Sequence, residues 1–308
     1  MPAQPRSRSP RRVLPDDRSN KRFEGLAEDH FLHIEDAGLN RGVDLKAKLG
    51  DVKFVLMGGP QDRAESWAQR LSKTFGFPVE PMGSRERYAL FKVGPIMAIS
   101  HGIGMPSMMI VLHELTKVLH YAGCTDVTYV RIGTSGGIGV TPGTLVVASH
   151  GVNGLLECKY ETTVLGQRKS FDTVFDVQTS QELEATAKRM DFPVVIAKTM
   201  STNDYYEEQG RLDGAVDPGY TEEEKFTWLR RVHESGVRNM EMEATALAAF
   251  CHRTGIRAAL ICAALLDRLK GDQTQGQATA EQMCEWNGRT TEVVLEWLRG
   301  KVDAKVVG

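Results

Sequence analysis

Arg131 stands near the carboxyl end of V-T-Y-V-R-I (127–132), a β-branched and aromatic run that otherwise reads as a buried strand. Desolvating a guanidinium is costly unless an anion meets it. Gly133, Thr134, Ser135, Gly136 and Gly137 follow at once, with two hydroxyls and open backbone N–H groups. The segment therefore predicts a tight loop that cradles an oxyanion. One alternative stays open: Arg131 pairs with an internal carboxylate and the glycines only make a turn. A second anion site is expected at Gly58-Gly59, where an apolar strand (52–58) passes into a helix over 61–75 carrying Arg63 in its first turn. The rival chemistry is a serine hydrolase, because Gly133-Thr134-Ser135-Gly136-Gly137 fits G-x-S-x-G and His101-Gly102 imitates an oxyanion loop. Such an elbow needs a helix directly after the serine, and G-G-I-G-V-T-P-G is a poor helix. A dinucleotide site is disfavoured by the lack of a full G-x-G-x-x-G turn.

These residues need strands that end together and helices that cover them. Short strands are expected over 88–93 and 96–100, a helix over 107–121, and strands over 127–132 and 144–149 joined through a Pro142-Gly143 turn. Residues 159–191 are more polar and carry no regular pattern. A strand over 194–198, a helix over 221–235, an alanine-rich helix over 240–250, a strand over 258–266 and a final helix over 278–298 complete the chain. Strands alternating with helices predict an α/β sheet covered on both sides, with ligands beyond the strand carboxyl ends.

Composition narrows the class. A chain of 308 residues with 41% apolar content suits a globular protein, and its net charge of −2 argues against a nucleic-acid partner. The longest apolar runs fall short of a bilayer span, so no membrane association is expected. Five cysteines without C-x-x-C spacing point to reduced thiols and a cytoplasmic setting, with no metal site. Residues 1–22 hold seven basic and two acidic residues with four prolines, so 1–27 is expected to be a disordered basic tail ahead of one domain over 28–308.

Seven stretches occur in order between about residues 50 and 273: G-D-V-K-F-V-L-M-G-G-P-Q-D-R, R-Y-A-L-F-K-V-G-P, S-H-G-I-G-M-P-S, R-I-G-T-S-G-G-I-G-V-T-P-G-T, Y-E-E-Q-G-R-L-D-G, G-V-R-N-M-E-M-E and L-L-D-R-L-K-G-D-Q. Together they resemble eukaryotic uridine phosphorylases of the nucleoside phosphorylase superfamily. The resemblance implies a single-domain three-layer α/β/α fold with a mixed central sheet, and reversible phosphorolysis of uridine, and of deoxyuridine as a further substrate, to uracil and ribose 1-phosphate. It also implies pyrimidine salvage, inorganic phosphate as co-substrate with no other cofactor, and a homodimer with shared active sites.

Carried over by position, Gly59, Arg63, Arg131 and Thr134, with Arg87 from a neighbouring subunit, bind phosphate. Glu243 and Met242 hold the ribose, and His33 reaches the neighbour's 5′-hydroxyl. Gln209 and Arg211 read uracil, Tyr205 stacks near it, Leu265 and Leu266 form the apolar wall and Arg268 completes the base end. A glutamine amide complements the pyrimidine O2 and N3–H, and an extended backbone would point residues i and i+2 the same way. The catalytic set is then Arg131, Gln209, Arg211 and Glu243. The chain departs from the family at Asp267, where L-L-N-R is expected. Asp267 either pairs with Arg268 or another base, or broadens specificity towards a purine phosphorylase or hydrolase. A non-catalytic nucleoside-binding protein is the remaining alternative.

Overall fold

The computed structural model describes residues 31–34, 43–82 and 87–303. Both the expected tail over 1–27 and the expected start of the domain at 28 lie outside them. In chain order the described elements are α1 (Leu45–Leu49), β1 (Phe54–Gly58), α2 (Gln61–Phe75), β2 (Glu80–Met82), β3 (Leu90–Val93), β4 (Ile96–Ser100), α3 (Met105–Tyr121), β5 (Thr128–Gly137) and β6 (Leu145–Val152). There follow β7 (Lys159–Val164), β8 (Gln167–Asp172), α4 (Val177–Arg189), β9 (Val194–Ser201), α5 (Glu222–Glu234), β10 (Val237–Glu241), α6 (Ala244–Thr254), β11 (Arg257–Asp267) and α7 (Ala280–Arg299).

Nine strands form one mixed sheet in the order β10-β9-β6-β11-β5-β1-β4-β3-β2, and β7 pairs with β8 as a separate hairpin. Period-two alternation sorts the strand residues to two faces. Val55, Met57, Tyr129, Leu260 and Cys262 pack towards α1, α3 and α6, whereas Leu56, Val130, Ile132, Ala259 and Ile261 pack towards α2, α4 and α7. This is the expected three-layer α/β/α fold with a mixed central sheet. Helix boundaries follow their caps: Thr221 and Thr279 open α5 and α7 through capping boxes with Glu224 and Gln282.

Three expectations are corrected. The glycine cluster after Arg131 is not a loop, because β5 continues through Thr134 and Ser135 to Gly137. Its glycines serve close approach. Asn239 and Met240 of β10 pair antiparallel with Gly137 and Gly136, while β10 also pairs with β9, so β10, β9, β6, β11 and β5 close into a ring. A Cβ on Gly137 would lie 2.7 Å from the Leu266 carbonyl oxygen and 3.0 Å from the Ala264 Cβ, so a side chain there would push the ring apart. The alanine-rich helix starts at Ala244, with Met240 and Glu241 in β10. Residues 159–191 are regular after all, forming the β7–β8 hairpin and α4.

One ion-pair cluster ties two helices on the same face of the sheet. Glu182 of α4 accepts from Trp297 Nε1 at 2.8 Å and meets Lys301 Nζ at 2.8 Å. Burial opposes its charge, yet the bonds from Lys301, Trp297 and Gln178 win and hold its pKa down to about 2. A carboxylate depressed in the folded state adds stability above its unfolded pKa and loses it as pH falls towards the folded value. Glu182→Gln is therefore expected to lower the urea midpoint at pH 7, with the gap to wild type narrowing as pH falls from 5 to 3. A gap independent of pH would refute this origin.

Candidate active site

A cavity of about 480 Å³ opens beyond the carboxyl ends of β1 and β4 and along Arg131 and Gly133–Gly136 of β5 and Leu265 and Leu266 of β11, and the end of β10 and the chain that follows β9 and β10 close it. Its anion end is built by register. Arg131 shares a sheet face with Tyr129, beneath α3 and α6, so its side chain points away from the α2 layer. Because β10 runs antiparallel to β5, the chain leaving Glu241 travels back along β5 towards Arg131. Arg131 Nη2 consequently donates to Glu243 Oε2, and Nη1 lies 3.3 Å from Glu241 Oε2 and 3.2 Å from Cys262 Sγ. Backbone groups fix both carboxylates. Gly104 N donates to Glu243 Oε1 at 2.6 Å, while Glu241 accepts from Glu243 N at 3.0 Å and Ala244 N at 2.8 Å. Of the two readings of Arg131, the pairing with internal carboxylates is the one seen.

The electrostatics follow from this packing. Burial alone would weaken the Arg131 charge, but Glu243 and Glu241 outweigh it and the guanidinium is held protonated. Glu243 is held ionised by Arg131 against its own burial. Glu241 is pushed the other way, first by burial and then by the Glu243 charge beside it. Arg63 lines the same end, and burial followed by repulsion from Arg131 lowers its pKa. An anion beside Arg63 and Arg131 would remove that repulsion. His101 is 1% exposed, and among the described residues neither ring nitrogen meets a side-chain hydrogen-bond partner. Burial and then Arg131 push its pKa down to about 3, so it is neutral at physiological pH.

The opposite end carries the amide and second guanidinium. Gln209 donates from Nε2 to Thr202 Oγ1 at 3.0 Å, and Arg268 Nη2 donates to its backbone carbonyl at 2.7 Å. Arg211 stacks on the Tyr205 ring, with its guanidinium carbon 4.2 Å from the ring centroid, and donates from Nη1 to the Asp272 carbonyl at 3.0 Å. The expected extended backbone is absent. Gly210 adopts φ +65° within a turn, and that turn brings both side chains to one cavity.

Of the expected residues, Gly59, Arg63, Arg131, Thr134, Tyr205, Gln209, Arg211, Met242, Glu243, Leu265 and Leu266 line this single cavity. Three do not. Arg87 is exposed, its carbonyl accepting from Gln61 Nε2 at 3.1 Å. His33 lies 2.6 Å from Glu114 Oε1 of its own chain. Arg268 is fully buried behind the wall, held by Asp272 Oδ1 at 2.9 Å. Asp267 pairs with another base, Lys270, whose Nζ lies 3.9 Å from its Oδ2, and not with Arg268. Its Oδ1 accepts from Gly139 N at 3.0 Å and Leu269 N at 3.1 Å, which makes it a turn cap outside the cavity.

Sequence reasoning missed Glu241, Asp272, Gln273 and Thr274 as lining residues, and treated His101 only as part of a hydrolase. M-E-M-E and G-D-Q carry the signal for Glu241 and Asp272 as their second members. The hydrolase itself is overturned. Ser135 lies within β5; among the described residues its hydroxyl accepts from Asn239 Nδ2 at 2.9 Å and donates to the Ala263 carbonyl at 3.4 Å, not to a base, and the next element is a strand. Among the described residues, no group of three or more His, Cys, Asp or Glu side chains is arranged to hold a metal ion, and no helix is long and apolar enough to cross a membrane.

Residues 53–299 match the Phosphorylase superfamily. Uridine phosphorylase A of Schistosoma mansoni is 44% identical over 91% of this chain and 95% of its own. From the same organism, a protein called inactive uridine phosphorylase B is 40% identical over 82% of this chain and 86% of its own. The crystal structure of Schistosoma mansoni uridine phosphorylase in complex with uracil superposes with a TM-score of 0.84 at 41% identity, covering 92% of this chain and 98% of that one. An α/β/α fold, a cavity with paired arginines at one end and a Gln–Arg pair at the other, and identities above 40% agree: the chain belongs to the uridine phosphorylase family of the Phosphorylase superfamily.

Proposed function

We propose that this protein catalyses the reversible phosphorolysis of uridine, and of deoxyuridine as a related substrate, in pyrimidine salvage. A relative called inactive lies at 40% identity, so activity depends on the residues of the site and not on kinship alone. The observation that carries it is one cavity lined by Arg63 and Arg131 at one end and by the Gln209 amide and Arg211 guanidinium, suited to a uracil edge, at the other. Phosphate sits against Gly59, Arg63, Arg131 and Thr134. Glu243, already ionised by Arg131, accepts from the ribose hydroxyls and Met242 packs on the sugar. A phosphate oxygen then attacks C1′ as the C1′–N1 bond breaks with its electron pair going to uracil. Gln209 and Arg211 meet the negative charge that gathers on the uracil oxygens, so they favour the transition state over bound substrate.

Arg87 and His33 stand away from the cavity of their own chain, and we assign them to that of a partner in a homodimer. The unpaired thiols of Cys124, Cys158, Cys251, Cys262 and Cys284 support a cytoplasmic setting. The position of Asp267, bonded to backbone N–H groups outside the cavity, favours pyrimidine over purine cleavage. The test is a nucleoside panel assayed with and without inorganic phosphate. Uridine is expected to be consumed only with phosphate present. Cleavage at the same rate without it would indicate a hydrolase, preferential inosine cleavage would reverse the Asp267 assignment, and binding without turnover would indicate a nucleoside-binding protein.

A further inference from the structure

Lys225 is 4% exposed, and a lysine so deeply buried needs a partner and a reason. It stands in the first turns of α5, outside the cavity lining, and its Nζ lies 2.7 Å from Asp272 Oδ2. Asp272 is the node of the base end. Its Oδ1 accepts from Arg268 Nε at 3.2 Å and Nη2 at 2.9 Å, and its backbone carbonyl accepts from Arg211 Nη1 at 3.0 Å. Arg268 in turn grips the Gln209 carbonyl at 2.7 Å. Both proposed base readers are thus held through Asp272, one through its main chain and one through its carboxylate. Packing reinforces the link: the Trp228 ring of α5 would lie 3.0 Å from a Cβ on Gly210, between the two readers.

The charges matter as well as the positions. Lys225, Arg268 and Arg211 stand against Asp272 and Asp213, an excess of one positive charge where a departing pyrimidine becomes anionic. Without the ammonium, the Asp272 carboxylate would be shared, among the described residues, only by Arg268 and the Leu212 N–H, which donates to Oδ2 at 3.4 Å. The carboxylate would be free to swing towards Arg211, and that excess charge would vanish.

We propose that Lys225 is a positioning residue for the leaving base: by clamping Asp272 it fixes Arg211 and Arg268 and keeps the base end of the cavity positively charged. This rests on the phosphorolysis reading above. The test compares uridine with 5-fluorouridine, whose electron-withdrawing fluorine lets the base leave with less help. Wild-type protein must first show phosphate-dependent cleavage of uridine; its absence would overturn the functional reading and this inference with it. Given that activity, Lys225→Met is expected to lower kcat on uridine about tenfold and kcat on 5-fluorouridine only about threefold, with the KM for phosphate unchanged. Lys225→Arg should restore both rates. Lys225→Gln, which keeps a polar reach to Asp272 without the charge, should repeat the Met pattern and serves if the Met variant does not fold. Wild-type kcat in either folded neutral variant, or an equal fold-loss on both substrates, would overturn the proposal.

Discussion

Replacing Arg131 with methionine is expected to lower kcat/KM for uridine by about a thousandfold or more and to weaken phosphate binding as well. Arg131 carries two loads: it is proposed to hold the phosphate, and it neutralises Glu243 and Glu241. Loss of one preorganised electrostatic partner in a closed site costs on the order of 10²–10³ in rate, and here the ribose-binding carboxylate loses its orientation too. Breaking a buried pair by removing one member costs about 3–5 kcal/mol of stability, because a charge is left without compensation. The pH dependence identifies the cause. With Arg131 gone, burial raises the folded-state pKa of both carboxylates above their unfolded value. Such groups carry no penalty when protonated in both states, at low pH, and a growing one as pH rises. Urea unfolding should therefore show a larger deficit against wild type at pH 8 than at pH 5. Mixing Arg131→Met chains with Arg87→Met chains should then recover part of the activity, since a hybrid dimer would contain one site with both arginines. No recovery among hybrids shown to form would remove Arg87 from the phosphate site.

Periodic segments were legible. The apolar faces of α2 and α7 and the buried run of β11 are set by burial, which sequence spacing records directly. The β7–β8 hairpin was not, because most of its residues keep both faces at least partly exposed and so show no alternation. β5 was cut short because glycine usually ends a strand. Here it extends one, since the neighbouring strand comes too close for a Cβ, a fact that belongs to β11 about 130 residues later. The same separation hid the acidic partners of Arg131. M-E-M-E reads as helix because alanines follow without a breaker, and only the ring closure of the sheet reveals that Glu241 and Glu243 run back to Arg131. Local pattern thus recovered Gly59, Arg63, Arg131 and Thr134 at one end of the cavity, and the family resemblance supplied the ribose and base residues. It could not recover what holds them, as with Lys225 and Asp272, whose contact spans 47 positions and leaves no periodic trace.

The base end supplies the second large effect. Gln209 is 4% exposed, and its amide is held by Thr202, itself fully buried. Gln209→Leu keeps approximate volume and removes the amide, leaving uracil N3–H and O2 against hydrocarbon and the Thr202 hydroxyl without its partner. An unmade buried hydrogen bond costs about 1–3 kcal/mol, and more in the transition state, where O2 gains charge. At about 1.4 kcal/mol per factor of ten, kcat/KM for uridine is expected to fall on the order of 10²-fold or more. Phosphate affinity should hardly change, because Arg63 and Arg131 belong to other elements and Arg131 is held by its own partners, Glu241 and Glu243. The backbone of the turn should hold too, since Arg268 grips the carbonyl of residue 209 and not its side chain. A folded Gln209→Leu protein that binds phosphate normally and cleaves uridine at the wild-type rate would remove uracil recognition from this turn.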